Sequence, residues 1–317
     1  MQNSTLEEIA FLACLNDIQS LKKFDYVQNF NSEAFLHELY FDIFNKNASK
    51  NRLYEHSLKP LLEKSHNIEE KNLLEFYIEI IKEYQKKGIH IIPYYDEEYP
   101  QKLKKIYNPP FLLYLKGNTD SISKPAIGVV GTRNISSRGI DVIQDIVDIC
   151  VKKGFVIVSG LALGSDTYAH KSTISSGGET VAVLPGDIDN IVPTENKDLA
   201  EKIVSSGALV SEITCLAKMH KGRYIERNRI TSALSNGVIV IETGETGGSI
   251  RQAETAFKEG IPVYTIKAET GNSRTMAGYK KLISMGAKSI EFPDDIIPYI
   301  TKGYKLSSKV TTLANFL

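Results

Sequence analysis

The chain has 317 residues, of which 42% are hydrophobic and 24% are charged, as is typical of a soluble globular protein with a substantial core. Its 38 basic and 38 acidic residues give a formal charge of zero, which excludes a uniformly basic surface and confines any polyanion site to a local patch. Three widely spaced cysteines favour a reducing cytosol over a disulfide framework or a zinc site. The N-terminus lacks a signal-peptide pattern, and no apolar run reaches the roughly 18 residues of a membrane helix, so we expect a cytoplasmic protein without a membrane segment.

Residues 1–88 space their apolar side chains as helices do, without the alternation of strands. In "EEKNLLEFYIEIIKEYQKKG" the apolar positions recur every three or four residues, and the run ends in two lysines and Gly88, a basic last turn followed by a glycine stop. The pattern predicts a small N-terminal helical domain over residues 1–88. Residues 88–118 are predicted to form a connector with a short strand at each end, because prolines interrupt any long helix there.

Beyond residue 118 the sequence alternates between apolar runs and helical patterns. Strands are predicted over residues 126–130, 155–159, 180–184, 208–213, 237–243 and 262–268, and helices over residues 137–152, 165–175, 197–205, 227–235, 248–259 and 277–285. The strands are continuous runs rich in β-branched residues, so both of their faces are expected to be buried between helices. We therefore predict an α/β fold: an extended Rossmann-type domain with a doubly wound, mostly parallel sheet over residues 89–300, followed by a short tail over residues 301–317.

Small and polar residues follow the predicted strands at their carboxyl ends, where the ligands of doubly wound sheets bind. Glycine permits a close approach of the backbone, and a helix begins soon after most of these loops, so that free amides point at one crevice. The pattern predicts a phosphate site that includes Gly131, Ser159, Gly160, Gly248 and Ser249. Arg133, at the tip of the first loop, has the planar and permanently charged side chain that suits phosphate; a helix cap or a surface ion pair is its alternative role.

The stretch "KGRYIERNRI" concentrates cations around one aromatic ring, and we interpret it as a loop that enters the helix predicted over residues 227–235. Its candidate binding residues are Lys221, Arg223, Tyr224, Arg227, Asn228 and Arg229. A tyrosine among phosphate-binding cations is typical of a surface that stacks the bases of a single strand. Arg227 and Arg229 are two residues apart and cannot share a helix face, so one is expected to face the ligand and the other to tie the loop to the sheet.

Motifs of common cofactor and catalytic sites are missing from the sequence. The first βα turn is not G-x-G-x-x-G, no P-loop occurs, and Ser159 and Gly160 stand where a ribose-binding acid would follow the second strand, so no cofactor is predicted. No metal-binding or nucleophile motif appears. Asp166 and His170, four residues apart, are interpreted as a structural pair in preference to an acid–base pair. Hypotheses of metal or nucleophilic catalysis are therefore unsupported.

Several long blocks resemble the DprA/Smf family of DNA-processing proteins, in the order in which that family has them. They include "GVVGTRNISSRG", "RYIERNRITSALSNGVIVIETGETGGSIRQAE" and "NSRTMAGYKKLISMGA", and the resemblance covers residues 88–290. It implies a single-stranded DNA-binding protein and not an enzyme: a homodimeric recombination mediator that protects incoming DNA and loads the RecA recombinase during natural transformation. The positions that match the family's motifs are Arg133, Lys221, Tyr224, the run Arg227-Asn228-Arg229, Gly248 and Ser249.

The sequence departs from the family pattern in three places, one of which is the stretch "GGSIRQAE" with the additional cation Arg251. Leu163 stands where many members have a basic residue, so one phosphate contact is expected to be missing. Many members also carry a C-terminal winged-helix domain, and we expect only a short tail over residues 301–317 in its place.

The alternative function is an enzyme or sensor for a small nucleotide, similar to the Rossmann-type phosphoribohydrolases with their P-G-G-x-G-T-x-x-E signature. The corresponding stretch here is "ETGGSIRQAE", in which no proline precedes the glycine pair. Gln252 falls where that signature has its catalytic glutamate, and Glu254 is displaced by two residues. The displacement would put Glu254 on a different face of the helix, which weighs against this reading.

Overall fold

The computed structural model describes residues 5–17, 70–268 and 272–298. Its strands are β1 (His90–Pro93), β2 (Leu112–Gly117), β3 (Ala126–Val130), β4 (Val156–Ser159), β5 (Thr180–Val183), β6 (Gly207–Ser211), β7 (Val238–Val240), β8 (Val263–Ile266) and β9 (Lys288–Ile290). Its helices are α1 (Leu6–Asp17), α2 (Glu70–Lys86), α3 (Ser137–Lys152), α4 (Ser165–Ser175), α5 (Lys197–Ser206), α6 (Lys221–Leu234), α7 (Gly248–Lys258) and α8 (Ser273–Ser284).

The strands form one nine-stranded sheet in the order β1-β2-β6-β5-β4-β3-β7-β8-β9. All neighbours from β6 through to β9 are parallel, whereas β1 and β2 add an antiparallel edge. The chain begins its parallel part in the middle, at β3, and winds outwards in both directions, so β3 and β7 flank the point at which the winding reverses. The predicted extended Rossmann-type, doubly wound α/β fold is confirmed, including the short strands at the two ends of the connector.

Helices cover both faces of the sheet because the central strands are apolar on both sides. Ile157 of β4 packs in a cluster with Ile143 and Val147 of α3. The next residue along the strand, Val158, points to the opposite face and packs in a cluster with Ile230 of α6. Successive strand residues point to opposite faces, so a continuous apolar run is buried only in such a sandwich.

The described part of the predicted N-terminal helical domain, α1 and α2, packs on the sheet. Phe11 and Tyr77 share a buried cluster with Tyr114 of β2 and Leu209 of β6. The domain boundary near residue 88 stays a prediction, and the predicted tail over residues 301–317 lies outside the described residues. Among the helices of the described ranges, none combines the length and apolarity needed to cross a membrane.

The boundaries of two helices differ from the prediction. Helix α6 begins at Lys221, six residues before the predicted start, so "KGRYIERNRI" is helical and the interpretation as a loop was wrong. The cause is a cap that the periodicity does not reveal: the Nδ1 atom of His220 accepts a hydrogen bond from the amide of Gly222 at 3.0 Å. Helix α8 begins at Ser273, four residues early, after Asn272 caps it in the same manner.

Candidate nucleic-acid interface

A cavity of about 330 Å³ opens at the carboxyl ends of β3 and β7, where the winding of the sheet reverses. Most of its lining comes from three segments: the loop after β3, the first two turns of α6, and the loop that leads from β7 into the start of α7; the region after β4 and the first turn of α8 add the rest. Of the residues predicted for the site, the lining contains Gly131, Arg133, Tyr224, Arg227, Asn228, Gly248 and Ser249. The cavity therefore lies where the doubly wound topology places ligands.

The outer wall of the cavity combines a cation with an aromatic ring. The guanidinium carbon of Arg133 lies 5.9 Å from the centroid of the Tyr224 ring, within the range of a cation–π contact. Arg133 is exposed and Tyr224 is half-buried, so solvent and ligands reach both side chains. Helix α6 presents Tyr224 from its first turn, and the loop after β3 supplies Arg133.

A second exposed arginine, Arg274, lines the same cavity and was missed at the level of sequence. It lies in the first turn of α8, and the helix predicted from the sequence began only at residue 277, after Arg274. A side chain at Gly244 would crowd it, because a β-carbon there would lie 3.3 Å from the Arg274 Nε atom. The available signal was an arginine shortly after the carboxyl end of the last predicted strand, in a block that already resembled the family.

The floor of the cavity holds a buried arginine, Arg227, which is only 6% exposed. It donates hydrogen bonds to the Thr231 hydroxyl at 3.2 Å and to the Gly160 carbonyl at 3.4 Å. Its Nε atom has no acceptor among the described residues. A side chain at Gly160 would collide with the guanidinium, so this glycine makes room for the arginine.

Asp166 is the carboxylate beside Arg227, and no other carboxylate lines the cavity within the described part of the chain. Its side chain accepts hydrogen bonds from the amides of Gly160 at 3.1 Å and Ala162 at 3.3 Å. Burial raises the pKa of Asp166, while the charge of Arg227 opposes that rise. Asp166 therefore compensates the buried guanidinium and holds the loop after β4 beneath it.

Helix α7 opens towards the cavity with Gly248 and Ser249, and no side chain caps its first turn. Gly247, just before it, has a φ of 132°, a conformation that glycine adopts without strain. The free amides and the positive end of the helix dipole favour an anion at this place. The phosphate site predicted from the glycine-rich loop stays a prediction.

The remaining predicted site residues do not line the cavity. Ser159 donates to the Val129 carbonyl at 2.6 Å, and Lys221 is exposed at the start of α6. Arg223 is buried and turns away from the cavity, donating to the carbonyl of Asp17 at 2.8 Å and to Glu226 at 3.2 Å.

The contacts of Arg229 show which of the two arginines, Arg227 or Arg229, holds α6 to the sheet. The residue is 7% exposed, and its guanidinium bonds the Glu212 carboxylate through two nitrogens, at 2.8 and 2.5 Å. It also donates to the carbonyls of Asn108 at 2.6 Å and Glu226 at 3.0 Å. Arg229 is therefore the residue that ties α6 to the sheet, and Arg227 is the one that faces the cavity.

The structure gives the phosphoribohydrolase alternative no carboxylate at the expected place. Gln252 lines the cavity, where its amide nitrogen donates to the Asn228 carbonyl at 3.0 Å and to the Ser232 hydroxyl at 2.6 Å. Glu254 is exposed and does not line the cavity. In the described ranges, no group of His, Cys, Asp and Glu side chains is arranged to hold a metal ion.

His170 contacts Thr180 and not Asp166, as expected of a structural residue. Its Nδ1 atom lies 2.7 Å from the Thr180 hydroxyl, which itself donates to the Ile157 carbonyl, so Nδ1 carries the proton. Burial lowers the pKa of His170 to about 3, and the charge of Arg227 acts in the same direction. The imidazole is therefore neutral at physiological pH.

Neutral burial of His170 should make the protein less stable in acid. The unfolded chain takes up a proton near pH 6.5 and the folded protein only near pH 3, so this stability is fully present above pH 6.5 and falls as the pH decreases. When the pH falls from about 6.5 to about 4.5, the free energy of unfolding decreases in both proteins. We expect this decrease to be about 2 kcal/mol smaller in the His170→Asn variant than in the wild type, at roughly 1.4 kcal/mol per pKa unit. Urea unfolding at both pH values measures the difference, and equal acid losses would contradict it.

Fold and cavity together define a Rossmann-type protein whose cavity combines cationic and aromatic side chains. A family model described as DNA recombination-mediator protein A matches residues 90–301. The chain belongs to that family, which confirms the resemblance to the DprA/Smf proteins.

Two curated relatives illustrate the similarity. DNA processing protein DprA of Bacillus subtilis is 38% identical over 218 residues, which cover 68% of this chain and 73% of the relative. DNA processing protein DprA of Streptococcus pneumoniae is 35% identical over 202 residues, which cover 64% of this chain and 71% of the relative.

Solved structures of the family share the fold. The X-ray structure of DprA from Streptococcus pneumoniae matches with a TM-score of 0.71 at 29% identity, over 93% of this chain and 98% of that chain. DNA processing protein A from Helicobacter pylori, whose structure is described in terms of its single-stranded DNA binding mode, matches with a TM-score of 0.59 at 27% identity. That match covers 65% of this chain and 94% of the Helicobacter chain.

Proposed function

We propose that the cavity binds single-stranded DNA and that the protein is a recombination mediator, which protects incoming DNA and loads RecA during natural transformation. The observation that carries the proposal is that the Tyr224 ring lines one cavity together with the exposed Arg133, which contacts the ring, and the buried Arg227. A ring for base stacking beside cations for the backbone is the combination that single-strand binders use. Membership in the DNA recombination-mediator protein A family supports the cellular role.

The dimensions of the cavity favour a single strand over a duplex. Its volume, about 330 Å³, lies at the small end of the range of ligand pockets. Bases of a duplex are stacked and paired, so one would have to leave the helix to reach Tyr224, at a cost of a few kcal/mol. A single strand presents its bases without that cost.

The remaining elements of the proposal rest on the family. We propose that RecA is the partner, that the protein dimerises through its Rossmann domain, and that it acts in the cytoplasm as a binding protein without a cofactor. The lack of a second carboxylate around the cavity, within the described residues, supports binding in preference to hydrolysis.

The Tyr224→Ala variant tests the proposal directly. Base–aromatic stacking is worth about 1–3 kcal/mol, so we expect affinity for a fluorescent single-stranded oligonucleotide to fall about tenfold or more, while Tyr224→Phe, which keeps the ring, stays close to wild type. Fluorescence anisotropy measures both, with unlabelled duplex of the same sequence as competitor. Equal losses in the two variants, or duplex that competes as well as single strand, would contradict the proposed function.

A further inference from the structure

Asn16 and Asp17 of α1 lie beside the segment that leads from β6 into α6. Both residues are buried and form hydrogen bonds to that segment. Within the segment, residues 215–219 are mostly exposed. Few buried contacts therefore hold the chain in place just before the helix that carries Tyr224.

Asn16 joins the ends of two neighbouring strands. Its side-chain amide donates to the carbonyl of Glu212, directly after β6, at 2.8 Å, and to the carbonyl of Leu112, in β2, at 2.9 Å. Its side-chain oxygen accepts from the amide of Phe111 at 2.9 Å. The side chain thus fixes α1 to the start of the β6–α6 segment.

Asp17 holds both ends of the β6–α6 segment. Its carboxylate accepts hydrogen bonds from the amide of Thr214 at 3.0 Å, from the Thr214 hydroxyl, and from the Tyr77 hydroxyl at 2.9 Å. Its backbone carbonyl accepts from the Arg223 guanidinium, in the first turn of α6, at 2.8 Å. One residue of α1 therefore contacts the beginning of the segment and the beginning of the helix that follows it.

The carboxylate of Asp17 is costly to bury. Burial raises its pKa to about 6, although hydrogen bonds from Thr214 and Tyr77 and the charge of Arg223 act in the opposite direction. An apolar side chain would avoid that cost but would leave the Thr214 amide without its acceptor. Geometry at this corner therefore depends on an acceptor at position 17.

We propose that Asn16 and Asp17 are positioning residues for DNA binding: they hold the first turn of α6 so that Tyr224 faces the cavity. The proposal rests on the proposed function, because it concerns the affinity of the same site for single-stranded DNA. The first turn of a helix lacks intrahelical acceptors for its amides and frays unless it is tied down. Here His220 caps the turn and Asp17 anchors its Arg223 side chain. Loss of the anchor lets Tyr224 leave the position in which its ring lies 5.9 Å from Arg133.

A double-mutant cycle between Asp17→Asn and Tyr224→Ala tests the proposal. Asparagine keeps the size of the side chain but replaces one carboxylate oxygen with an NH2 group. That group cannot accept the hydrogen bond that Thr214 or Tyr77 donates to the oxygen. In the wild-type background we expect Asp17→Asn to weaken binding of a single-stranded oligonucleotide about three- to tenfold, the effect of one or two hydrogen bonds. In the Tyr224→Ala background the same substitution should weaken binding by less than about twofold. Ile143→Val, a buried substitution in α3, controls for a general loss of stability and should leave affinity unchanged.

Hydrogen exchange of the DNA-free variant gives an independent readout. Exchange should become faster in residues 214–225 and stay unchanged in the central strand β5, whereas a purely structural defect would affect both.

If Asp17→Asn does not fold, Thr214→Val removes one of the same hydrogen bonds from the Thr214 side and replaces Asp17→Asn in the double-mutant cycle. Wild-type affinity in Asp17→Asn, or an equal loss with and without Tyr224, overturns the positioning role alone. Lack of binding by the wild type, or wild-type affinity in Tyr224→Ala, overturns the proposed function and the positioning role with it.

Discussion

Replacing Arg133 and Arg274 together by alanine is expected to weaken single-stranded DNA binding about 100-fold or more. Both side chains are exposed and line the cavity, so both are available to phosphate groups of a strand that lies in it. A hydrogen bond to a charged group contributes about 1.5–3 kcal/mol, and two such losses amount to at least two powers of ten in affinity. Anisotropy titrations of a labelled oligonucleotide measure the change.

The salt dependence of the same variant identifies the cause of the loss. Affinity for a single strand falls with salt at a log–log slope of about −0.7 for each phosphate that the protein neutralises. Removing two phosphate contacts should therefore make the slope shallower by about 1.4. The matched control is Lys152→Ala with Lys153→Ala, an equal change of charge at two exposed lysines at the end of α3. If the control weakens binding as much, or if the slope of the arginine variant is unchanged, the two arginines do not contact phosphate.

The architecture and the place of the cavity could be predicted because they depend on local patterns. Continuous apolar runs such as Ala126–Val130 have to be buried on both faces, and helices between parallel strands cover them. The order of strands then puts the loops after β3 and β7 together at the reversal point. The glycine-rich loops were predicted from their place after the strands, Arg133 from its charged and planar side chain, and Tyr224 from the cations around it; the structure brings them into one cavity.

Directions of the arginine side chains could not be predicted, because their partners lie far away in sequence. Arg223 is bonded to Asp17, and Arg229 to Glu212 and Asn108. Local spacing showed only that Arg227 and Arg229 diverge. The cluster that the sequence presents as one basic patch is therefore divided: Arg227 serves the cavity, while Arg223 and Arg229 hold α6 in place.

One cation of the cavity, Arg274, was not predicted because it comes from another part of the chain. Arg274 comes from α8, 50 residues after Tyr224 of α6, because the sheet brings the ends of its strands to one edge. A search of the sequence for charge clusters does not find Arg274, because its immediate neighbours are polar and neutral. A neutral chain can thus build a positive cavity from arginines that are dispersed in sequence.

The second large effect concerns stability: we expect Glu212→Ala to lower the free energy of unfolding by about 3–5 kcal/mol, the usual consequence of removing one partner of a buried ion pair. Burial alone would lower the pKa of Arg229, but the charge of Glu212 and its hydrogen bonds outweigh burial and raise it. Without Glu212 the guanidinium keeps the carbonyls of Asn108 and Glu226, but no carboxylate of the described ranges remains at bonding distance. Typical domains have only about 5–15 kcal/mol of stability, so the loss is a large share. Denaturant midpoints at constant pH measure it.

Two controls separate the ion pair from other effects of the substitution. Glu254→Ala removes an exposed carboxylate and should change stability by less than about 0.5 kcal/mol. The paired replacement Glu212→Met with Arg229→Met removes both charges, and we expect it to recover most of the loss, because a buried pair is often replaceable by apolar side chains. A loss below about 1 kcal/mol in Glu212→Ala, or a paired variant no more stable than the single one, would show that Arg229 does not depend on Glu212. The assignment of Arg229 as the residue that ties α6 to the sheet would then be wrong.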